Sequence, residues 1–348
     1  MNYSNIIYHR FKGNAEEWNC TLAAWGDSCF LQTWEFGEAK AKNSLWSVER
    51  GLLLNAGSVV GAAQSMIRKP FFSNSGLVWI NRGPVGVTGN YGEALRALHQ
   101  NFCVKQKMYL RVAPSVAVEN LSEAEYNSSG LIKTKIQGWA SAIIDLAQPI
   151  EILRNNLHGK WRNALGRAER SNIDICISND KSSFGYFLKG HCRHLDERGQ
   201  QGGLEVDFLD SLEEILPKHR RLICVQAYKD GNYLGGALIS QNGTVAEYLA
   251  GHNSGEGRLL NAGQLVLWSA IVHLKSIGMI KFDLGGMDER LTPNGIYRFK
   301  QRIGGAPYRL ANEMEGLGPG LINRIIRRCV DSQRRRNHAK TYEPSEVR

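Results

Sequence analysis

Cysteine is sparse and unpatterned in this chain of 348 residues. The seven cysteines (Cys20, Cys29, Cys103, Cys176, Cys192, Cys224 and Cys329) are odd in number, scattered, and include no Cys-x-x-Cys. That argues against a disulfide framework or a zinc ribbon and fits a reducing compartment. Long hydrophobic runs are missing too: LVLWSAIVHL at 265–274 is the longest, too short to span a bilayer. MNYSNIIYHR lacks the basic-then-apolar pattern of a signal peptide, so a cytoplasmic protein is expected. There is no Gly-x-Ser-x-Gly, no Walker loop and no dinucleotide fingerprint, which leaves serine-nucleophile, nucleotide-hydrolysing and hydride chemistry without a signature. No cysteine has a nucleophile's local signature either. His191 and His194 supply two ligands at helical spacing with no further cluster, so no metal is expected.

What the chain does have is an ordinary folded composition, 43% hydrophobic and 22% charged, and a length that suits two domains of roughly 150–170 residues. Against 33 Asp and Glu stand 43 Lys and Arg, a formal charge of +10. Such a balance favours a polyanionic partner: nucleic acid, a phosphorylated substrate or an anionic membrane. The excess is concentrated, since residues 320–348 carry eight Lys or Arg and three Asp or Glu. This tail is either a solubilising end or a contact for such a partner.

In chain order, FLQTWEFGEAK (30–40) places Trp34 and Phe36 for burial and Glu35, Glu38 and Lys40 outward at helical spacing. LWSVER, GLLLN, SVVGAAQSMIR and GLVWINRGPV alternate apolar and polar residues between turn signals, as an antiparallel meander does. A helix is expected from Gly89 to Gln106, with Leu95, Leu98 and Phe102 on one face, followed by a strand over MYLRVAP. After the strand WASAIIDL, Pro149 opens a helix with Leu153, Leu157, Trp161, Leu165 and Ala168 on one face. Arg154, His158, Arg162 and Arg170 lie on the adjoining face, which is either solvated or turned to phosphate or RNA. Another helix is expected over 183–199. The second half repeats the meander, with hairpin turns at Asp230-Gly231 and Asn242-Gly243. SVVGAAQSMI (58–67) aligns with NYLGGALISQ (232–241), each on the second strand of its meander, so two copies of one α/β fold are expected. A long helix through Leu274 then feeds a strand into Asp283. Strand, strand, strand, helix, strand is the order of the acyl-CoA N-acetyltransferase fold. There the loop before the helix offers backbone N–H groups to a pyrophosphate. The corresponding loop here, NSGEGRLLNAG (253–263), bears glycines but no Arg-x-x-Gly-x-Gly/Ala.

The stretch FDLGGMDERLTPNGIYRFKQRIGG (282–305) is the richest in chemistry-bearing residues. A short strand carrying Asp283 runs into Gly285-Gly286, crosses a polar loop and re-enters as an aromatic, basic segment centred on Phe299-Lys300. Glycines let main chain come close to a ligand while Lys300 supplies a charge. The plainer reading is a strand-loop-strand corner with a solvated lysine. Together with FLQTWEFGEAK, WINRGPV (79–85), LRVAP (110–114) and GKWRNALGRAERSNI (159–173), in this order, it resembles the Fem-type peptidoglycan-bridge aminoacyltransferases.

The resemblance implies a mixed α/β (α+β) chain of two tandem acetyltransferase-like (GNAT) domains, each a mainly antiparallel mixed sheet flanked by helices. The first, 1–145, would bind the acceptor, and the second, 146–318, the aminoacyl donor and the reaction centre. A basic C-terminal helix and tail, 319–348, would pack back on the first. The implied reaction moves an aminoacyl group from aminoacyl-tRNA to an amine of a peptidoglycan precursor, or a related amine, in the cytoplasm and without a cofactor. Lys300 corresponds to the family's electrostatic helper, beside Phe299. Lys40 and Arg198 correspond to contacts for acceptor phosphates, with Tyr297, Gly285 and Gly286 in the substrate-binding set. Arg162, Arg167, Arg324, Arg327 and Arg328 are the candidate tRNA contacts. Asp283 is either a general base or a carboxylate holding the glycine loop's N–H groups. The long helical hairpin that some members carry as a tRNA arm is missing.

The residues also fit two other functions. One is an acyl-CoA-dependent N-acyltransferase acting on a sugar, a polysaccharide precursor or an antibiotic-like amine. The other is a non-catalytic RNA- or membrane-binding module, in which LINRIIRR (321–328) lies on RNA or on anionic lipid headgroups.

Overall fold

The computed structural model describes residues 6–26, 29–42, 44–87, 89–197 and 206–342. In chain order its strands are β1 (Ile7–Arg10), β2 (Ser47–Asn55), β3 (Ser58–Arg68), β4 (Leu77–Asn81), β5 (Tyr109–Ala113), β6 (Ile132–Lys133) and β7 (Ala140–Asp145). They continue as β8 (Asp174–Ser178), β9 (Ile223–Lys229), β10 (Asn232–Asn242), β11 (Val245–Asn253), β12 (Lys281–Asp283), β13 (Ala306–Arg309) and β14 (Met314–Leu317). They form two seven-stranded sheets, ordered β1-β2-β3-β4-β5-β14-β6 and β8-β9-β10-β11-β12-β7-β13. Each has four antiparallel strands, one parallel pair (β4 with β5, β11 with β12) and an antiparallel return. β3 and β10, the strands aligned in the sequence, hold the same third place, so the internal repeat is structural.

The sixth strands are exchanged in chain order. β14 completes the first sheet from beyond the second, and β7 completes the second before that sheet's other strands have begun. The compact units are accordingly 1–12, 45–138 and 311–348 for the first, and 13–44 and 139–310 for the second. This division differs from cuts at 145 and 318. Segment 13–44 joins the second unit because Phe30 and Ala39 share an apolar cluster with Phe184, Phe187, Phe208 and Leu212, against which Phe36 also packs. Glu35, expected outward, is buried on the helix Trp34–Lys42. Arg220 donates to both of its oxygens at 2.9 Å, and Asn19 donates as well.

In the first unit one sheet face is apolar and the other is not. Val78, Ile80, Leu110, Val112 and Met314 face the helix Tyr91–His99, whose Leu95 and Leu98 are fully buried as expected. The alternate residues Tyr109, Arg111 and Glu315 must face the other way, because successive strand side chains alternate. There the C-terminal helix Leu321–Tyr342 covers them: Arg327 donates to both oxygens of Glu315, and Arg334 reaches Glu313, which also accepts from Arg111. In the second unit both sheet faces are apolar. Ile223, Val225 and Ala237 belong to one core, and Cys224 and Leu238 to the other.

The helix expected after Pro149 is two helices, Ile150–Asn156 and Gly159–Glu169, broken where Leu157 and His158 are extended. The break redirects its basic face. Arg162 donates to the Asn155 carbonyl at 3.2 Å, filling one of the acceptors a helix end leaves open. Arg154 forms a two-pronged pair with Glu169 at 2.8 and 2.6 Å. Among the described residues no helix is long and apolar enough to cross a membrane.

Candidate active site

The site is set by a length mismatch between two parallel strands. β11 runs to Asn253 while β12 stops at Asp283, so they pair only over Val245–Glu247 and Lys281–Asp283. Beyond that the chain must leave β11, and Gly285 makes the departure. Its φ of +70° is one that side-chain-bearing residues avoid, and a Cβ there would sit 2.5 Å from the Tyr248 carbonyl oxygen. Asp283 fastens the turn. One carboxylate oxygen accepts the Gly285 N–H at 2.8 Å and lies against the Ser141 hydroxyl, and the other accepts Tyr308 OH at 2.6 Å.

The segment that re-enters after Pro293 is a helix, Asn294–Gln301, and not the strand of a strand-loop-strand corner. Pro293 supplies the first carbonyl, accepting from the N–H groups of Ile296 and Tyr297. The one buried residue of this helix is Lys300. Phe299 lies tilted against Trp161, ring centroids 5.9 Å apart, and with Tyr297 packs on the core. Lys300 Nζ donates to the Gly286 carbonyl at 3.1 Å and stands 4.9 Å from the centre of the Tyr248 ring. Burial pushes its pKa down to about 8, and the nearby carboxylates of Asp283 and Glu247 pull upward without restoring the ordinary value. The ammonium is therefore mostly charged at neutral pH but poised to lose its proton just above it.

Lys300 lines a cavity of about 460 Å³ together with Phe299, Tyr248, His252, Asn253 and Gly263. Its walls are mainly apolar with a few polar groups, as ligand cavities generally are. His252 accepts from or donates to Tyr233 OH at 3.0 Å, and burial beside His191 and His194 lowers its pKa to about 3, so it is neutral. The Asn253 side-chain oxygen is buried with no hydrogen-bond partner. The loop 253–263 coils into a short helix, Gly255–Leu259, before the long helix Ala262–Ser276 begins. The N–H groups of Gly257, Arg258, Leu260, Asn261 and Gln264 are thereby bonded within the chain.

Of the residues singled out in the sequence, Asp283, Gly285, Gly286, Tyr297, Phe299 and Lys300 are gathered at this corner. Lys40 lies instead on the helix Trp34–Lys42, its Nζ 5.7 Å from the Phe208 ring centre, and is not part of the cavity lining. Arg198 lies outside the described residues. Arg162 and Arg167 are exposed on the helix Gly159–Glu169, and Arg324 and Arg328 are exposed on the C-terminal helix, whereas Arg327 is engaged by Glu315. Sequence reading missed Glu247, Tyr248, Ser141 and Tyr308. Only Glu247 leaves a trace, as a lone acidic residue in the apolar strand AEYLAGHN.

Two tandem copies of the GNAT fold, each a mixed and mainly antiparallel sheet with flanking helices, describe this architecture. Among solved structures it is similar to "Crystal structure of FemX", with a TM-score of 0.77 at 16% identity, covering 92% of this chain and 99% of that one. It is also similar to a tandem GNAT protein from the clavulanic acid biosynthesis pathway, with a TM-score of 0.52 at 11% identity, covering 90% and 99% of the two chains. A third is the C-terminal domain of a putative lysylphosphatidylglycerol synthetase from Agrobacterium fabrum, with a TM-score of 0.50 at 14% identity, covering 78% and 84%. No protein-family model matches the chain, and no curated protein does.

Proposed function

We propose that this chain is an aminoacyltransferase that moves an aminoacyl group from aminoacyl-tRNA to an amine, on a peptidoglycan precursor or a related acceptor, in the cytoplasm. The observation that carries the reading is the buried Lys300 at the cavity wall. One of its three N–H donors goes to the Gly286 carbonyl and the Tyr248 ring backs it, which leaves donors for a ligand oxygen. An aminoacyl ester is already activated, so positioning supplies much of the acceleration. The acceptor nitrogen attacks the ester carbonyl, the C–N bond forms and the C–O bond to ribose breaks. The proton lost by the amine is taken up by the departing ribose oxygen. Negative charge grows on the carbonyl oxygen in between, and a fixed cation at Lys300 stabilises it.

Asp283 serves as the clamp of the Gly285 turn in this reading, because Ser141, Gly285 and Tyr308 already occupy its oxygens. The second unit then holds donor and chemistry, and the first takes part in acceptor binding. Lys40 offers its phosphate contact from the second unit. Exposed Arg167 supplies a phosphate contact for tRNA.

The rival donor is an acyl-CoA, favoured by Gly263 and Arg258 at the cavity rim. The bonds already made by the N–H groups of Gly257, Arg258, Leu260, Asn261 and Gln264 weaken it, because a pyrophosphate needs such donors unengaged. Incubation with charged tRNA and candidate amines should yield deacylated tRNA and an amide. Transfer from acetyl-CoA with none from charged tRNA would overturn the proposal. Turnover, divided by the fraction of acceptor amine that is neutral, should be level below pH 8 and fall as Lys300 loses its proton above about 8; a corrected rate that rises through that range would assign Lys300 as a base instead.

A further inference from the structure

One end of the first sheet collects exposed apolar side chains and positive charge. Ser47 pairs with Ile67, Arg68 with Leu77, Leu77 with Tyr109, and Tyr109 with Leu317. This register brings the β3–β4 loop, the approach to β5 and the exit from β14 to the same edge. The Lys107 carbonyl ties them together, accepting from Ser75 Oγ at 3.1 Å and from Asn323 Nδ2 at 2.9 Å.

At this edge Phe71 and Phe72 stand 108% and 83% exposed. Few soluble surfaces leave two adjacent phenylalanines wholly in water. Beside them the C-terminal helix is inverted relative to an ordinary surface helix. Its polar residues Asn323, Arg327 and Arg334 turn to the sheet and are bonded there, while Leu321 and Ile325 face solvent at 72% and 58% exposure. Arg68, Lys69, Lys105, Lys107, Arg324 and Arg328 are exposed around them. Segments 68–76, 104–108 and 318–330 contain no Asp or Glu.

We propose that this edge docks on an anionic lipid bilayer. Phe71, Phe72, Leu321 and Ile325 enter the boundary between headgroups and acyl chains, and Lys69, Lys107, Arg324 and Arg328 meet lipid phosphates. Apolar burial and attraction to anionic headgroups act together in such interfacial binding. Six exposed cations on three segments that carry no carboxylate favour an anionic lipid surface over a protein partner, whose interfaces mix charges of both signs.

Co-sedimentation of the full chain with phosphatidylcholine vesicles, with and without phosphatidylglycerol, tests the inference independently of any transfer reaction. Binding should require phosphatidylglycerol and weaken as salt shortens the screening length. The double variant Phe71→Ser/Phe72→Ser should lower partitioning roughly tenfold or more, since each buried ring contributes on that scale. The double variant Lys69→Glu/Arg324→Glu should reduce binding toward the level on neutral vesicles. Both change exposed side chains, and an unchanged thermal melt verifies the fold. Equal partitioning to both vesicle types, no partitioning, or variants that bind like the unchanged chain would overturn the proposal. Self-association abolished by Phe71→Ser/Phe72→Ser without vesicle binding would replace the bilayer by a second copy and overturn it too.

Discussion

Lys300 shows how a single residue couples stability to chemistry. Its pKa is about 8 in the fold against 10.5 in the unfolded chain. Between these values the unfolded state binds more protons, so stability from this group rises with pH and the full penalty of burying its charge is present below pH 8. The shift corresponds to about 3 kcal/mol as an order of magnitude, and replacing the side chain forfeits the hydrogen bond to Gly286, worth about 1 kcal/mol. Lys300→Met should therefore be more stable than the unchanged chain by about 2 kcal/mol at pH 7. The gap should close toward pH 10.5, measured by urea unfolding at several pH values. Transfer should fall at least roughly a hundredfold in the same variant, the scale of removing one oxyanion-stabilising donor. A variant that loses stability as well as activity would make Lys300 a structural lysine.

At the scale of elements, the β11–β12 junction and the C-terminal helix each depend on a local device. Gly285→Ala places a Cβ against the Tyr248 carbonyl at a backbone angle alanine resists. It should destabilise by about 1–3 kcal/mol and displace the Gly286 carbonyl that holds Lys300, so activity should fall further than stability explains. The helix Leu321–Tyr342 is held by charge. Arg327→Ala leaves the buried Glu315 with Tyr109 as its remaining hydrogen-bond partner, an arrangement expected to lose about 1–3 kcal/mol. Hydrogen exchange should quicken in 321–334 while the core of the second unit keeps its protection. The individual helices and strands were largely legible: periodicity located the strand over MYLRVAP and the helix with Leu95 and Leu98. The break at Leu157-His158 was not, because an apolar stripe continues across it and neither residue is a helix breaker. The helix Asn294–Gln301 was also hidden, since it is only eight residues long, opens on Pro293-Asn294-Gly295, which reads as a turn, and buries a lysine.

At the scale of the whole chain, the exchange of β7 and β14 means that no single cut yields two complete sheets. A fragment of residues 1–138 lacks β14, which pairs with both β5 and β6, and leaves Arg111 without Glu313. It should be insoluble or unfolded alone by circular dichroism. Co-expression with residues 139–348 should restore soluble protein, and a fragment 1–138 that folds cooperatively alone would contradict this account.

Local sequence was enough for the repeated meander and for the glycine-bearing corner that carries Asp283 and Lys300. Those follow from alternation, turn residues and glycine placement within short windows. Tertiary structure alone decided that segment 13–44 packs in the second unit, that Glu35 is buried on Arg220, and that Arg327 is engaged by Glu315. It also decided that Glu247, Ser141 and Tyr308 surround Asp283, and that Phe71 shares an edge with Leu321. The physical reason is the same in each case. A side chain's own segment fixes which way it points, but its partner is set by contacts between segments far apart in the chain, and those exist only once the sheets have assembled.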